Sequence, residues 1–128
     1  MSTRNTSRKG ATFERAVVLD LQGHWGWPVV TRASASKGVA DVIAINPDDV
    51  LLVECKTNGV CGVDQWNQLF DTAMSCGAIP VVAHQVDRRS NPGEHGIRYM
   101  RLTGRKTGRG HRQPWDQIHP TTKPAEVA

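Results

Sequence analysis

Apolar residues recur at helical spacing early in the chain, at Phe13, Ala16, Val17 and Leu21. This spacing predicts an amphipathic helix over residues 8–24. Ser7 stands where a cap belongs, and the Gly23–Gly26–Pro28 stretch ends the helix. The polar residues 1–6 are expected to be disordered. The period then changes. Residues 28–32 (PVVTR) read as a short strand, and 33–38 (ASASKG) as a small polar loop. Residues 39–45 (VADVIAI) and 50–56 (VLLVECK) are apolar on both faces, except at Asp41 and at the end of the second run. Strands of this kind lie inside covered sheets. The NPDD turn between them predicts that they are neighbours.

A Gly-rich loop at 57–62 leads into a second helix. It carries Val63, Trp66, Leu69, Phe70 and Ala73 on one side, with Gly77 as its stop. This stripe reads as core, not as a base-stacking platform. Residues 79–84 (IPVVAH) form a strand with Pro80 near its start or on an edge. After a polar loop at 86–96, residues 97–102 (IRYMRL) read as an outer strand. From Thr103 onward Gly, Pro, Arg, Lys and Thr dominate, and Trp115 and Ile118 are isolated. The expected organisation is one domain over 1–103, with its core at about 7–102, and a flexible basic tail over 104–128. The order of elements describes a small α/β sheet covered by helices.

Composition narrows the function classes. The 128 residues, 38 % hydrophobic, suffice for one core. No run approaches the roughly 18 apolar residues of a membrane span. The N-terminus MSTRNTSRKG is basic but has no apolar run behind it, so a secretory signal is not expected and a cytoplasmic location is. Cys55, Cys61 and Cys76 are an odd set without a CxxC pair, which argues against a disulfide framework and a zinc ribbon. A zinc site through Cys61 and Cys76 lacks close-spaced ligand pairs. Buried free thiols are expected. The net charge of +4 suits a polyanionic partner. Arg88, Arg89, Arg98, Arg101, Arg105, Lys106, Arg109 and Arg112 face only Glu94 in the same stretch, and Arg4, Arg8, Lys9 and Arg15 add a second basic region. The five histidines lack ligand spacing and receive no role.

The chemistry centres on Asp41. A lone carboxylate in an apolar strand must be protonated, paired or bound to a cation. Glu54 and Lys56 are two apart on a strand and leave the same face, while Cys55 points to the other. Adjacent strands would bring Asp41 beside Glu54, where like charges repel unless a cation lies between them. Mg²⁺ is a hard cation that takes one or two carboxylates and keeps several waters. Lys56 would orient the attacking water or neutralise charge on the phosphate. The result is a D…ExK site suited to phosphodiester hydrolysis. Glu14 borders the apolar face of the first helix, placed to serve a second metal or to hold a water.

The pieces SRKGATFERAVVLDL, VVTRASASKGVADVIAI and LLVECK resemble the archaeal-type Holliday junction resolvases, the Hjc group of the PD-(D/E)XK nuclease superfamily. The resemblance covers roughly residues 7–85. It implies a small mixed β-sheet flanked by helices, the restriction-endonuclease-like fold. By the same resemblance Glu14 is the catalytic glutamate of the first helix, and Asp41, Glu54 and Lys56 are the aspartate, glutamate and lysine of the metal site. The backbone carbonyl of Cys55 joins the metal ligands. Ser36 matches the loop serine at the scissile phosphate, with Ser34 the other candidate, and Gln65 matches a glutamine that opens the second helix. Arg8, Lys9, Arg15, Arg32 and Lys37 are the expected DNA contacts. The chain departs from the family in the short loop between Ser36 and Asp41 and in having Ala40 where a proline usually precedes the aspartate.

The implied activity is Mg²⁺-dependent resolution of four-way branched DNA, with Mn²⁺ able to substitute. A homodimer would meet the need for paired cuts. Two other readings stay open. One is another PD-(D/E)XK endonuclease, of restriction, replication or repair type. The other is a non-catalytic DNA-binding accessory protein with this fold.

Overall fold

The computed structural model describes residues 3–33, 39–57, 61–86, 95–108 and 113–121, with side chains from Gly10 onward. Among the described residues, six strands form a single sheet in sequential order. They are β1 (Val29–Arg32), β2 (Val42–Ile45), β3 (Val50–Lys56), β4 (Ile79–Gln85), β5 (Ile97–Leu102) and β6 (Trp115–Ile118). Only β3 and β4 run parallel; the other neighbouring pairs are antiparallel. The sheet is therefore mixed, as the resemblance implied. Helix α1 (Thr3–Leu19) precedes it, and α2 (Val63–Cys76) is the crossover between β3 and β4.

The two helices cover opposite faces, and strand alternation sorts the core. Phe13, Val17 and Leu21 pack with Val42, Leu51, Val53, Val81, Ala83 and Tyr99. Trp66 and Leu69 of α2 pack with Ala40, Cys61, Val82 and Leu102. Successive residues of β4 thus serve both clusters, which explains its run of apolar residues. Pro80 costs the ladder little, because pairing with β5 begins only at Val81.

Local chemistry sets the element ends. Asn46 Oδ1 accepts the Asp48 and Asp49 amides at 2.9 and 2.6 Å, closing the NPDD turn that makes β2 and β3 antiparallel neighbours. Gly77 closes α2 in the left-handed region (φ 69°), with its amide bonded to Ala73 O. The first helix widens into a π-type turn over Asp20–His24.

Four expectations need correction. Helix α1 starts at Thr3, so residues 3–6 are helical and Ser7 lies inside the helix instead of capping it. Residues 104–108 and 113–121 are built into the fold, not a flexible tail. Strand β6 pairs with β5, Trp66 Nε1 donates to Gly104 O at 2.9 Å, and Trp27 Nε1 donates to Pro120 O. Two buried indoles, each needing an acceptor, recruit this segment. The outer strand of the sheet is therefore β6, and β5 is internal. The cysteines are not all buried: Cys61 is, Cys55 is half-buried and Cys76 is exposed on α2.

Candidate active site

Strand alternation breaks at Asp41. Ala40 packs on the α2 face and Val42 on the α1 face, although they are two residues apart. The backbone there is held from both sides. Ala33 N–H donates to Asp41 O, and Asp41 N–H donates to Val53 O, each at 2.8 Å. This local irregularity aims the carboxylate at the end of β3, where the Cys55 amide donates to Asp41 Oδ2 at 2.9 Å. Re-aiming a side chain is a usual result of irregular strand pairing near a site.

Glu54 stands beside it. Burial of the Glu54 carboxyl and the charge of Asp41 push its pKa up to about 7, with partial relief from Lys56. A hydrogen bond with Asp41 also favours the protonated form. Lys56 Nζ lies 3.9 Å from Glu54 Oε1 and donates to Gln65 Oε1, so the helix-opening glutamine suggested by the resemblance meets the lysine.

Glu14 reaches the site from α1. Arg32 Nε and Nη2 both donate to Glu14 Oε1, at 3.2 and 3.1 Å, tying α1 to the end of β1. The half-buried Cys55 thiol marks the convergence. Burial, then Asp41, Glu14 and Glu54, push it well above the usual thiol range, and Arg32 acts in the opposite direction. Cys55 packs on the α1-side core, opposite the face of Glu54 and Lys56, as strand alternation requires. The upward direction of its pKa favours the neutral thiol, the less nucleophilic form.

Asp41 and Glu54 are two hard oxygen donors held together against their repulsion, and a divalent cation relieves that repulsion. Among the described residues no three His, Cys, Asp or Glu side chains form a metal cage. Two carboxylates suffice for Mg²⁺, which retains several waters. Ser34, Ser36 and Lys37 lie outside the described residues, as do the side chains of Arg8 and Lys9. Arg15 is exposed on α1.

Sequence reasoning missed one polar cluster. The buried Asp20 carboxylate accepts from Trp25 Nε1 at 3.0 Å and Tyr99 OH at 2.7 Å, and pairs with His95 Nδ1 at 2.5 Å. His24 packs edge-on against His95. Burial and the bond to Asp20 push the Tyr99 phenol well above its ordinary range. The cluster fastens the end of α1 to β5. A carboxylate three residues after Val17, on the apolar side of the helix, was its visible signal.

Comparison with known proteins bears on the fold and the family of the chain. No curated protein matches the sequence significantly. Among solved structures, the fold is similar to that of Archaeoglobus fulgidus Hjc, a Holliday junction resolvase from an archaeal hyperthermophile. The match has a TM-score of 0.56 and 24 % identity, over 76 % of this chain and 80 % of that one. The family described as archaeal Holliday junction resolvase (Hjc) matches residues 5–91, a stretch that contains α1 from its third residue on, β1 to β4 and every acidic residue of the site. With the matched stretch covering more than half of its length, the chain belongs to the archaeal Holliday junction resolvase family.

Proposed function

We propose that this protein is a divalent-metal-dependent endonuclease that resolves four-way DNA junctions by paired hydrolysis of phosphodiester bonds. The observation that carries the reading is the Asp41–Glu54 pair, forced together beside Lys56 at the end of β3. Membership in the resolvase family supports the substrate.

Asp41 and Glu54 would hold the cation, Mg²⁺ or Mn²⁺, with the Cys55 carbonyl as a backbone ligand. When bound, the cation supplies charge for the phosphate oxygen and lowers the pKa of a water. Lys56, steadied by Gln65, presents its ammonium to the water or to the phosphate as negative charge develops there. Glu14 positions a water and is itself positioned by Arg32. Ser36 assists at the scissile phosphate. Arg8, Lys9, Arg15, Arg32 and Lys37 bind backbone phosphates, which orients the junction without reading its bases.

A symmetric homodimer supplies two sites for the two opposed cuts. No helix among the described residues is long and apolar enough to cross a membrane, which suits work on cytoplasmic DNA. Incubation of an end-labelled junction with Mg²⁺ tests the reading. Paired nicks in opposite strands near the branch are expected. Preferential cutting of linear duplex would move the protein to another endonuclease class, and intact DNA in both Mg²⁺ and Mn²⁺ would make it a binding protein.

A further inference from the structure

A line of nitrogen-bearing side chains leads away from Lys56 across the sheet. Lys56 is the register partner of His84 on β4, and His84 is the partner of Arg98 on β5. Register partners share a face, so at the usual strand spacing Arg98 stands about 10 Å from Lys56. The row lines a cavity of about 190 Å³, with Lys106, Met100 and Trp115 among its other walls. No acidic side chain among the described residues lines it.

Lys106 is a fixed part of this cavity. Its amide donates to Asn67 Oδ1 at 2.7 Å, and its carbonyl accepts from Asn67 Nδ2 at 3.1 Å. Its ammonium donates to Cys61 O at 2.7 Å and lies 5.2 Å from the Trp66 ring centre. Arg98 is half-buried and has no ion-pair partner among the described residues. Collecting cations in a partly dehydrated pocket is unfavourable until an anion joins them. Phosphate alone would explain the cations but not the apolar wall of Met100 and Trp115, which suits the flat face of a base. Arg98, Met100, Lys106 and Trp115 all lie beyond residue 91, where the family match ends.

We propose that this cavity receives one unstacked nucleotide of the DNA strand next to the scissile phosphate. Its phosphate lies on Arg98, Lys106 and His84, and its base lies against Trp115 and Met100. Taking a base out of the stack costs least where pairing is already broken, as at a branch point. The cavity would thereby favour branched over continuous duplex. The inference rests on the nuclease reading of the adjacent site.

The test uses full-length protein carrying Asp41→Asn, so that binding is read without cutting. A single abasic nucleotide is walked through the positions around the branch of a four-way junction. At one position, loss of the base is expected to weaken binding about tenfold. That penalty should vanish when Trp115→Leu is added, because leucine keeps the apolar packing of β6 without an aromatic face. Trp115→Phe should keep it, and Arg98→Gln should weaken binding at every position alike. An abasic walk without any penalty, or with the same penalty in the Trp115→Leu protein, overturns the proposal. Cutting by the unsubstituted protein is scored separately. Absence of cutting refutes the nuclease reading, whereas cutting with a flat abasic walk refutes the cavity alone.

Discussion

The Cys55 amide donates to Asp41 Oδ2 across 2.9 Å, so the carboxylate that anchors the site is also a structural acceptor for the backbone of β3. The two roles separate by substitution. Asp41→Asn retains an oxygen for the Cys55 amide but removes the charge. It should keep the fold and junction binding while cutting falls below detection. Asp41→Ala leaves the amide unpaired and should also lose about 1–3 kcal/mol of stability. Denaturant titration alongside a cleavage assay checks both.

Glu54 predicts a pH dependence with a definite sign. Its carboxyl is raised in the folded protein from 4.5 to about 7, so the ionised form is disfavoured by folding. Its contribution to the stability of the metal-free protein falls as pH rises from about 4.5 to about 7 and stays low above that. Glu54→Gln should therefore melt higher than the natural protein at about pH 8 without metal, on the order of 5 °C, and the gap should close near pH 5. Cation binding needs the carboxylate, so cutting should decline below about pH 7, and more Mg²⁺ should move that midpoint down. Thermal melts and rate profiles at two Mg²⁺ concentrations test this pair of effects.

Arg32 and Glu14 act as a unit. Both groups are partly exposed, so their pairing contributes little to stability, within about 1 kcal/mol. Arg32→Ala should nonetheless slow cutting roughly tenfold or more, because Glu14 loses the group that aims it. Arg32→Lys should not restore the rate, since an ammonium lacks the fork that reaches Glu14 through two nitrogens. The double change with Glu14→Gln should cost less than the sum of the single changes. Single-turnover rates of the four proteins give the answer.

The segment after Thr103 should be indispensable. Removing it strips β6 from β5 and takes the carbonyl acceptors from the Trp66 and Trp27 indoles. Truncation there should destabilise the protein by at least about 3 kcal/mol. An unchanged melting temperature in the truncated chain would contradict this account of the fold.

Much of the architecture was readable from local pattern. The two helices and five of the strands follow hydrophobic period and turn chemistry, with NPDD and Gly77 acting as the sequence suggested. Asp41 stood out because a carboxylate interrupts an apolar run, and Glu54 and Lys56 because their spacing puts them on one face. Strand β6 was hidden because WDQI is short and its two apolar residues, Trp115 and Ile118, are three apart and so show no strand period; its place depends on distant indoles seeking acceptors. The partner of Arg32 was equally invisible, since the ion pair joins residues 18 apart through the docking of α1. The sequence also gave no sign that His84 and Arg98 would align with Lys56, because that alignment exists only in the sheet register.

Mapping the nicks in a four-way junction labelled on each strand in turn tests the central claim most directly. With Mg²⁺, the natural protein should cut two opposed strands near the branch, and the Asp41→Asn protein should bind the same junction and leave it whole. Equal cutting by both proteins, or uncut junction with Mg²⁺ and with Mn²⁺, would contradict a hydrolytic site built on Asp41, Glu54 and Lys56.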